Sequence, residues 1–415
     1  GDVYKRQTMG PSASLWDCSE FIACDYKLEI GHPPGAPFYM LVYNVISHLG
    51  GSPERAAVLT NATSAVLSGL TILFLFWTIT HMVRRVLSPK AHLGEQGLDP
   101  VGEVMTRGQA VAILGSGLVG SLVYTFSDSF WFSAVEAEVY AFSSLFTAVV
   151  FWLIFKWEER SKYERSDRWL ILIAYLMGLS IGVHLLNLLC LPAMALVYYF
   201  RRAKTPTLKG SVLSLVASFA LVGLMMYGVV QGLVEVCGLF ELLFVNVLGM
   251  PYNTGVYAYV IIVAAVLAWA IWETMRQDPN PMRVRVSFLL SIVLLGIPFI
   301  GEGYLLGVLL IAALGVALFR MKRLHVAALN TTLVSLLVIV VGYSSYALIL
   351  TRSTADTPMN QNAPSDIFTL RSYLAREQYG SGPLLYGPTY VSEVARNSDG
   401  TAASKDGPKT WSRVI

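Results

Sequence analysis

The chain of 415 residues is 55% hydrophobic and only 14% charged, and its mean hydropathy is +0.57. This composition excludes an ordinary soluble domain and predicts an integral membrane protein. The net charge of +3 does not indicate nucleic-acid binding, because the basic residues follow the pattern of membrane topology determinants.

The first segment combines many ionisable groups with signals for an irregular turn. Gly1 to Gln7 resemble translated sequencing-adaptor sequence and contribute nothing to the predicted fold. In the stretch WDCSEFIACDYKLEIGHPPGAPFY, Asp17 and Glu20 are three residues apart, which places both on one face of a helix. Prolines and glycines around His32 predict a turn. The apolar run Phe38 to Leu49 is too short to span a bilayer and predicts an interfacial helix.

Apolar segments between residues 57 and 350 predict about ten transmembrane helices. Spanning a bilayer takes about 20 apolar residues. Windows of about that length are Ala57 to Met82, Gln109 to Phe126, Val139 to Phe155, Ser211 to Gln231, Val256 to Trp272 and Ala327 to Leu350. Trp169 to Phe200 is too long for one span, so a break near His184 divides it into two short helices. Val286 to Ile300 and Tyr304 to Phe319 flank a turn at Glu302.

The basic residues indicate the orientation, because Lys and Arg accumulate in short cytoplasmic loops. Most of the 30 basic residues fall in alternate loops between the predicted helices. The loops between them contain none: Ser127 to Ala137, the break at His184, Gly232 to Gly255 and the turn at Glu302. This asymmetry places both ends of the chain outside the cytoplasm. An outside N-terminus predicts a further helix upstream of Thr8.

Three predicted regions follow the adaptor-like residues. Residues 8–56 form a first extracytoplasmic loop with its interfacial helix, and residues 57–350 form the transmembrane bundle. Residues 351–415 are expected to open an extracytoplasmic C-terminal domain that stops early. There a polar linker precedes a helical pattern from Ile367 to Gln378 and a strand-like PLLY bounded by glycines.

Other signals argue against familiar alternatives. The sequence contains no Walker loop, GxGxxG or HExxH, which disfavours nucleotide-driven transport and zinc proteolysis. Cys18 and Cys24 lie six apart on a predicted helix and are badly placed for a disulfide. The sequons at Asn61 and Asn330 lie inside predicted spans, so we expect no glycosylation there.

Acidic residues in the outside loops are the candidate functional groups. In the loop SDSFWFSAVEAEVYA, which also holds Asp128, Glu136 and Glu138 are two apart and do not share a helix face. Tyr140, four residues beyond Glu136, is placed to hydrogen-bond it. Such carboxylates are either solvated or held for a ligand, a metal or proton handling. Their concentration among interfacial aromatic residues favours a site.

His184 is a separate candidate, because it marks the predicted helix break. An ionisable group at such a break favours function, and a capping or packing histidine is the alternative.

Four segments together resemble a known family. WDCSEFIACDYKLEIGHPPGAP, YTFSDSFWFSAVEAEVYAFSSLF, GLSIGVHLLNLL and REQYGSGPLLYG are similar to polytopic proteins long classed as a domain of unknown function. That family is now grouped with protein O-mannosyltransferases in the GT-C superfamily of membrane glycosyltransferases. The resemblance is to the bacterial branch and runs from about Pro11 to Pro388. Ser19 departs from it, because a glycine is more usual there.

The resemblance implies an all-α polytopic membrane protein with a GT-C-like bundle. It would lie in the bacterial inner membrane with its catalytic loops outside. The implied reaction moves a sugar from a polyprenyl-phosphate donor to serine or threonine hydroxyls of exported proteins, and mannose is the expected sugar. In such enzymes an acidic residue of the first outside loop is the base, or a metal ligand in some relatives. The matching position is Asp17, with Glu20 beside it, and a divalent metal is left open as a cofactor.

The chemistry of that reaction agrees with this distribution of residues. A hydroxyl nucleophile needs a carboxylate to accept its proton. A lipid phosphate is already a good leaving group, so the second carboxyl group of a glycosidase is unnecessary. The departing phosphate favours positive charge or N–H donors, for which His184 is the preferred candidate. The residues assigned to substrate binding are His32, Asp128, Glu136, Glu138, Tyr140 and His184.

Two other classes stay open. A secondary transporter or flippase of a lipid-linked or small polar substrate also uses broken helices and intramembrane ions. It predicts acids near the bilayer midplane and repeated halves, whereas the acids here lie in loops. A structural subunit without chemistry is the third reading.

Overall fold

In a computed structural model, helices make up most of the residues that the structure describes, which are 9–14, 16–87, 105–163, 165–299, 303–380 and 396–398. The first helices are α1 (Asp17–Lys27), α2 (Pro37–His48), α3 (Ala56–Leu87), α4 (Arg107–Thr125), α5 (Asp128–Val135) and α6 (Val139–Arg160). The next are α7 (Arg168–Ile181), α8 (Leu191–Arg202), α9 (Leu208–Gly223), α10 (Leu233–Leu242), α11 (Thr254–Met275) and α12 (Pro281–Leu294). The last are α13 (Tyr304–Arg320), α14 (Val326–Tyr343), α15 (Ala347–Ser353) and α16 (Ile367–Leu374).

Six helical stretches of the described chain are long and apolar enough to cross a membrane. They are Pro53–Leu87, Arg107–Thr125, Val139–Arg160, Leu208–Val247, Thr254–Met275 and Val326–Ser353. The structure thus supports a multi-pass membrane protein. The number of ten spans and the side on which each loop lies stay predictions. The turn at Glu302 and the PLLY segment fall outside the described residues.

The predicted break near His184 is confirmed. α7 ends at Ile181, a 3-10 turn covers Leu185–Cys190, and α8 follows. The carbonyl of Gly182 at the break accepts the backbone N–H of Phe38 at 2.8 Å and of Tyr39 at 3.3 Å. These bonds satisfy donors at the start of α2, which a helix leaves unpaired. The break therefore anchors the helix that follows the His32 turn.

The predicted loop from Gly232 to Gly255 is wrong over most of its length. Helical structure continues from Leu208 to Val247, about 60 Å at 1.5 Å per residue, through two π-helical segments. Gly232 continues the helix because it packs against another chain segment, and a Cβ there would lie 2.3 Å from the carbonyl oxygen of Gly296. The loop predicted from Ser127 to Ala137 likewise contains α5.

Helices α7 and α14 cross at two glycines. A Cβ at Gly178 would lie 2.5 Å from the carbonyl oxygen of Ile339, and one at Gly342 would lie 2.5 Å from the backbone nitrogen of Leu179. Small residues allow two backbones to approach this closely. The contact holds α7, and with it the break that anchors α2.

Gly342→Ala is expected to destabilise the protein by about 1–3 kcal/mol, because the added methyl group forces apart two backbones that cannot yield locally. Thermal unfolding in detergent measures the effect. The matched control is Gly115→Ala in α4, where a Cβ meets nothing within 4 Å. Equal melting temperatures for both variants would contradict the close crossing.

The chain divides into two compact units, Gly1–Ala375 and Arg376–Ile415. Helix α15 runs across the predicted domain boundary at residue 350, and α16 belongs to the first unit. The helical pattern predicted from Ile367 is confirmed as α16 followed by a 3-10 turn over Glu377–Tyr379. Residues 351–375 therefore fold with the unit that carries the candidate site.

Candidate functional site

Helix α1 presents two carboxylates at its start. Asp17 and Glu20 lie in its first turn, where the N-terminal end of the helix dipole favours negative charge. Three side chains of α1 are buried at intervals of three residues, those of Cys18, Phe21 and Cys24. This burial fixes the orientation of α1, so that Asp17 is exposed and Glu20 is half-buried. The prediction that both acids share a helix is confirmed.

The turn between α1 and α2 brings His32 back onto Glu20. The backbone N–H of His32 donates to Glu20 Oε1 at 2.6 Å, and His32 Nδ1 lies 2.9 Å from the same oxygen. The His32 ring also meets Phe21 edge-on, with the ring centres 5.6 Å apart. His32 is thus held between a carboxylate and an aromatic ring.

Asp17, Glu20 and His32 form one cluster, in which the ligand atoms all lie within 4.8 Å of one another. Burial raises the pKa of Glu20, but hydrogen bonds from the side chain and backbone of His32, with a further one from Gln361, outweigh it and leave the pKa below its usual value. Glu20 is therefore a stable anion that already has partners. Asp17 is the exposed carboxylate of the cluster.

The second acidic loop reaches the same cluster through Glu138. The Glu138 carboxyl group is half-buried, and its pKa is raised by burial and by the charges of Glu136 and Asp17, while His32 acts in the opposite direction. Glu136 follows α5 and Glu138 precedes α6, so neither lies within a helix and the two share no helix face.

Tyr140 contacts His184 rather than Glu136. The two rings lie 5.4 Å apart, and within the described residues no hydrogen bond joins Tyr140 to Glu136. His184 Nδ1 accepts the backbone N–H of Leu186 at 3.1 Å, which is the capping role held as its alternative. A capping Nδ1 carries no proton, so His184 caps as a neutral ring.

Asp128 lies apart from the cluster. It is exposed and begins α5, where its charge suits the helix N-terminus. Across the described part of the chain, no hydrogen bond or ion pair connects it to Asp17, Glu20 or His32.

Asp25 lies on the buried face of α1 and was not predicted there. It is 0% exposed, and neither carboxyl oxygen has a hydrogen-bond partner. Burial raises the pKa of Asp25 to about 8. Its position, seven residues after Cys18, turns it toward the core and away from Asp17.

The raised pKa of Asp25 predicts a pH-dependent stability. A carboxyl group with a folded pKa above its unfolded value costs nothing below about pH 4, costs progressively more as the pH rises toward 8, and costs no more above that. Asp25→Asn removes the buried charge and should therefore stabilise the protein at pH 8. The gain should be only about 1–3 kcal/mol, because the buried amide still lacks hydrogen-bond partners.

Melting temperatures in detergent from pH 5 to pH 9 check this prediction for Asp25. The wild-type value should fall with rising pH relative to that of Asp25→Asn. Asp278→Asn, at an exposed acid, is the control. Parallel curves for wild type and Asp25→Asn would show that Asp25 does not titrate in this range.

A cavity of about 600 Å³ is lined in part by Tyr140, two residues after Glu138. It lies between α3, α4 and α6, with Tyr140 and Leu186 among its lining residues together with Met82, which is nearly at the far end of α3. Most of its walls are apolar, as is usual for a ligand pocket. Its position is suited to a long apolar chain whose polar end lies near Glu138.

The sequence reasoning missed the residues that hold the cluster from the C-terminal side. Tyr373 donates to the carbonyl of Gly31 at 2.7 Å, and the Gln361 side chain lowers the pKa of Glu20. Arg352 donates to the carbonyl oxygens of Leu28 at 2.7 Å and Lys27 at 3.0 Å. No local pattern marks these residues, because each acts on a segment more than 300 positions away.

The cluster offers a donor set that fits a divalent metal. Two carboxylates and one imidazole nitrogen are ligands for Mn²⁺ or Zn²⁺. Their ligand atoms are close enough to share one ion. His32 and Glu20 also satisfy each other directly, so the three residues fit either a metal or a hydrogen-bonded pair beside a free carboxylate.

Comparison with known proteins covers the part of the chain that holds every predicted site residue. No solved structure matches the chain. A curated relative, Protein O-mannosyl-transferase tmem260 of Dictyostelium discoideum, is 23% identical over 238 residues, which cover 54% of this chain and 25% of the relative. Residues 17–207 match the family model of the Protein O-mannosyl-transferase TMEM260 N-terminal domain, and both similarities support a glycosyltransferase role.

Proposed function

We propose that the protein transfers mannose from a polyprenyl-phosphate donor to serine or threonine hydroxyls of exported proteins. The observation that carries this proposal is the cluster of Asp17, Glu20 and His32, joined by Glu138 from the second acidic loop. It lies inside the region similar to protein O-mannosyltransferases. The chain spans about a quarter of the length of the relative it matches, so its activity is inferred from the site.

Asp17 is the general base in this proposal. The acceptor oxygen attacks C1 of the sugar, the bond from C1 to the phosphate oxygen breaks, and the phosphate leaves with the bonding electrons. The hydroxyl proton passes to a carboxylate that is exposed and free to receive it. Asp17 is exposed, whereas Glu20 is occupied by His32 and Gln361. Glu20 therefore positions His32 rather than taking the proton.

Glu138 and Glu136 are suited to binding sugar hydroxyls. Their carboxylates lie in an irregular link between two helices, and Glu138 is close enough to Asp17 for the charges to interact. His32 is the cationic or hydrogen-bonding group closest to the departing phosphate. Tyr140 and the neutral, capping His184 would contact the donor at the mouth of the cavity.

The donor lipid is expected to occupy the cavity between α3, α4 and α6. Its mostly apolar walls are suited to a lipid chain that lies among the helices with its phosphate near Tyr140. Membrane-spanning helices and the distribution of basic residues support a membrane location with the cluster outside, and the membrane in this proposal is the bacterial inner membrane. The acceptor would then be an exported protein.

A divalent metal is compatible with this proposal. Asp17, Glu20 and His32 would hold the ion, which would supply positive charge for the leaving phosphate. All three residues would bind the ion, and His32 would in addition keep Glu20 ionised.

A flippase or transporter of a lipid-linked substrate is the second candidate. The break between α7 and α8 favours it, because discontinuous helices line transporter sites. Transport predicts lipid translocation without a covalent product.

A transfer assay in membranes that carry the protein tests the proposal. Radiolabelled polyprenyl-phosphate mannose and a serine-containing peptide should yield a mannosylated peptide, whereas a nucleotide sugar alone should not. A chelator and added Mn²⁺ report on the metal. Lipid translocation in the absence of any labelled peptide would favour the flippase instead.

A further inference from the structure

We propose that Gln361 and Tyr373 are positioning residues of the transfer site. Both lie between α15 and the end of α16, outside residues 17–207, which match the family model. The inference rests on the proposed function, because it concerns the same cluster. It extends the site to a segment outside the match to the family model.

The segment pairs directly with the chain just before His32. The N–H of Ile30 donates to the carbonyl of Met359 at 2.9 Å, and the N–H of Gln361 donates to the carbonyl of Ile30 at 3.1 Å. This short parallel bridge sets the position of Gln361 beside α1. Its side chain lies near the Glu20 carboxyl group and lowers the pKa of that group.

Tyr373 holds the other side of the turn. Its side chain is 0% exposed, and its hydroxyl donates to the carbonyl of Gly31 at 2.7 Å, with the carbonyl of His32 at 3.3 Å. A buried hydroxyl that contacts two successive carbonyls fixes the peptide between them. The backbone N–H that His32 donates to Glu20 is therefore fixed from both sides.

Together, these two contacts determine the positions of His32 and Glu20 relative to Asp17. Gln361 acts on the carboxylate and Tyr373 acts on the backbone of the turn. Neither side chain needs to touch a substrate, so their loss should slow the chemical step without weakening substrate binding. A displacement of about 1 Å can lower a rate by about 100-fold.

The variants Gln361→Met and Tyr373→Phe remove the two contacts with little change of size. In the transfer assay, both should lower kcat by about 10-fold to 100-fold, with the KM values for donor and acceptor within about twofold of wild type.

The matched control is Asn362→Gly, next to Gln361. Asn362 is exposed with a φ of 61°, which glycine also adopts. Wild-type kcat in both Gln361→Met and Tyr373→Phe would overturn the positioning role and leave the proposed function standing.

Hydrogen exchange of residues 30–36 decides the positioning role if the wild-type protein transfers no sugar. Faster exchange of these amides in Gln361→Met and Tyr373→Phe, but not in Asn362→Gly, supports it. Unchanged exchange in both variants overturns it, whatever the activity.

Discussion

Asp17→Asn is expected to lower kcat for mannosyl transfer by a factor on the order of 10³, the loss typical of removing a general base. The amide keeps the size of the side chain at the start of α1 but does not accept the hydroxyl proton. Asp17 is exposed, so the substitution should leave folding unchanged. The measurement is labelled peptide formed per minute at saturating donor and acceptor, with the melting temperature taken in parallel.

Two comparisons make this result interpretable for Asp17. Glu54→Gln, at an exposed acid just before α3, should retain wild-type transfer. If a metal is bound, Asp17→Asn should also weaken binding of Mn²⁺ alone, whereas a pure base should leave it unchanged. Wild-type kcat in Asp17→Asn would remove Asp17 as the base and turn attention to Glu138.

Local pattern was enough to find the acidic half of the site. The spacing of Asp17 and Glu20 predicts a shared helix face, and apolar residues of the same helix are buried beside them. The prolines and glycines around His32 indicate a turn, although not that it returns to Glu20. His184 is marked by the helix break that it caps. Each of these signals lies within a few residues of the group concerned.

Residues that depend on tertiary contacts escaped prediction. Glu138 is distinguished from Glu136 by its interaction with Asp17 and His32, which only the folded link provides. Gln361 and Tyr373 look like ordinary polar and aromatic positions until α16 packs near the His32 turn. The helix through Gly232 continues because of a partner backbone, although glycine disfavours helix by about 1 kcal/mol.

Glu20→Ala is expected to lower kcat by about 100-fold, although Glu20 is not the base. Its Oε1 accepts the backbone N–H of His32 at 2.6 Å and lies 2.9 Å from Nδ1, so alanine releases the turn and leaves a donor unpaired. Glu20→Gln keeps an accepting oxygen and should lose only about 10-fold. The transfer assay gives kcat for wild type, Glu20→Gln and Glu20→Ala. The loss in Glu20→Gln measures the effect of the charge, and the further loss in Glu20→Ala measures the effect of the hydrogen bonds.

A double-mutant cycle with His32→Ala tests whether Glu20 acts through that histidine. If it does, Glu20→Ala and His32→Ala together should cost little more than either alone, a coupling of about 1.5–3 kcal/mol in the barrier. Additive losses would mean that Glu20 acts independently, as a second base or as a metal ligand without His32. The pH profile distinguishes these two cases. Because the folded pKa of Glu20 lies below its usual value, a second base at this position would hold its activity to lower pH than an ordinary glutamate does.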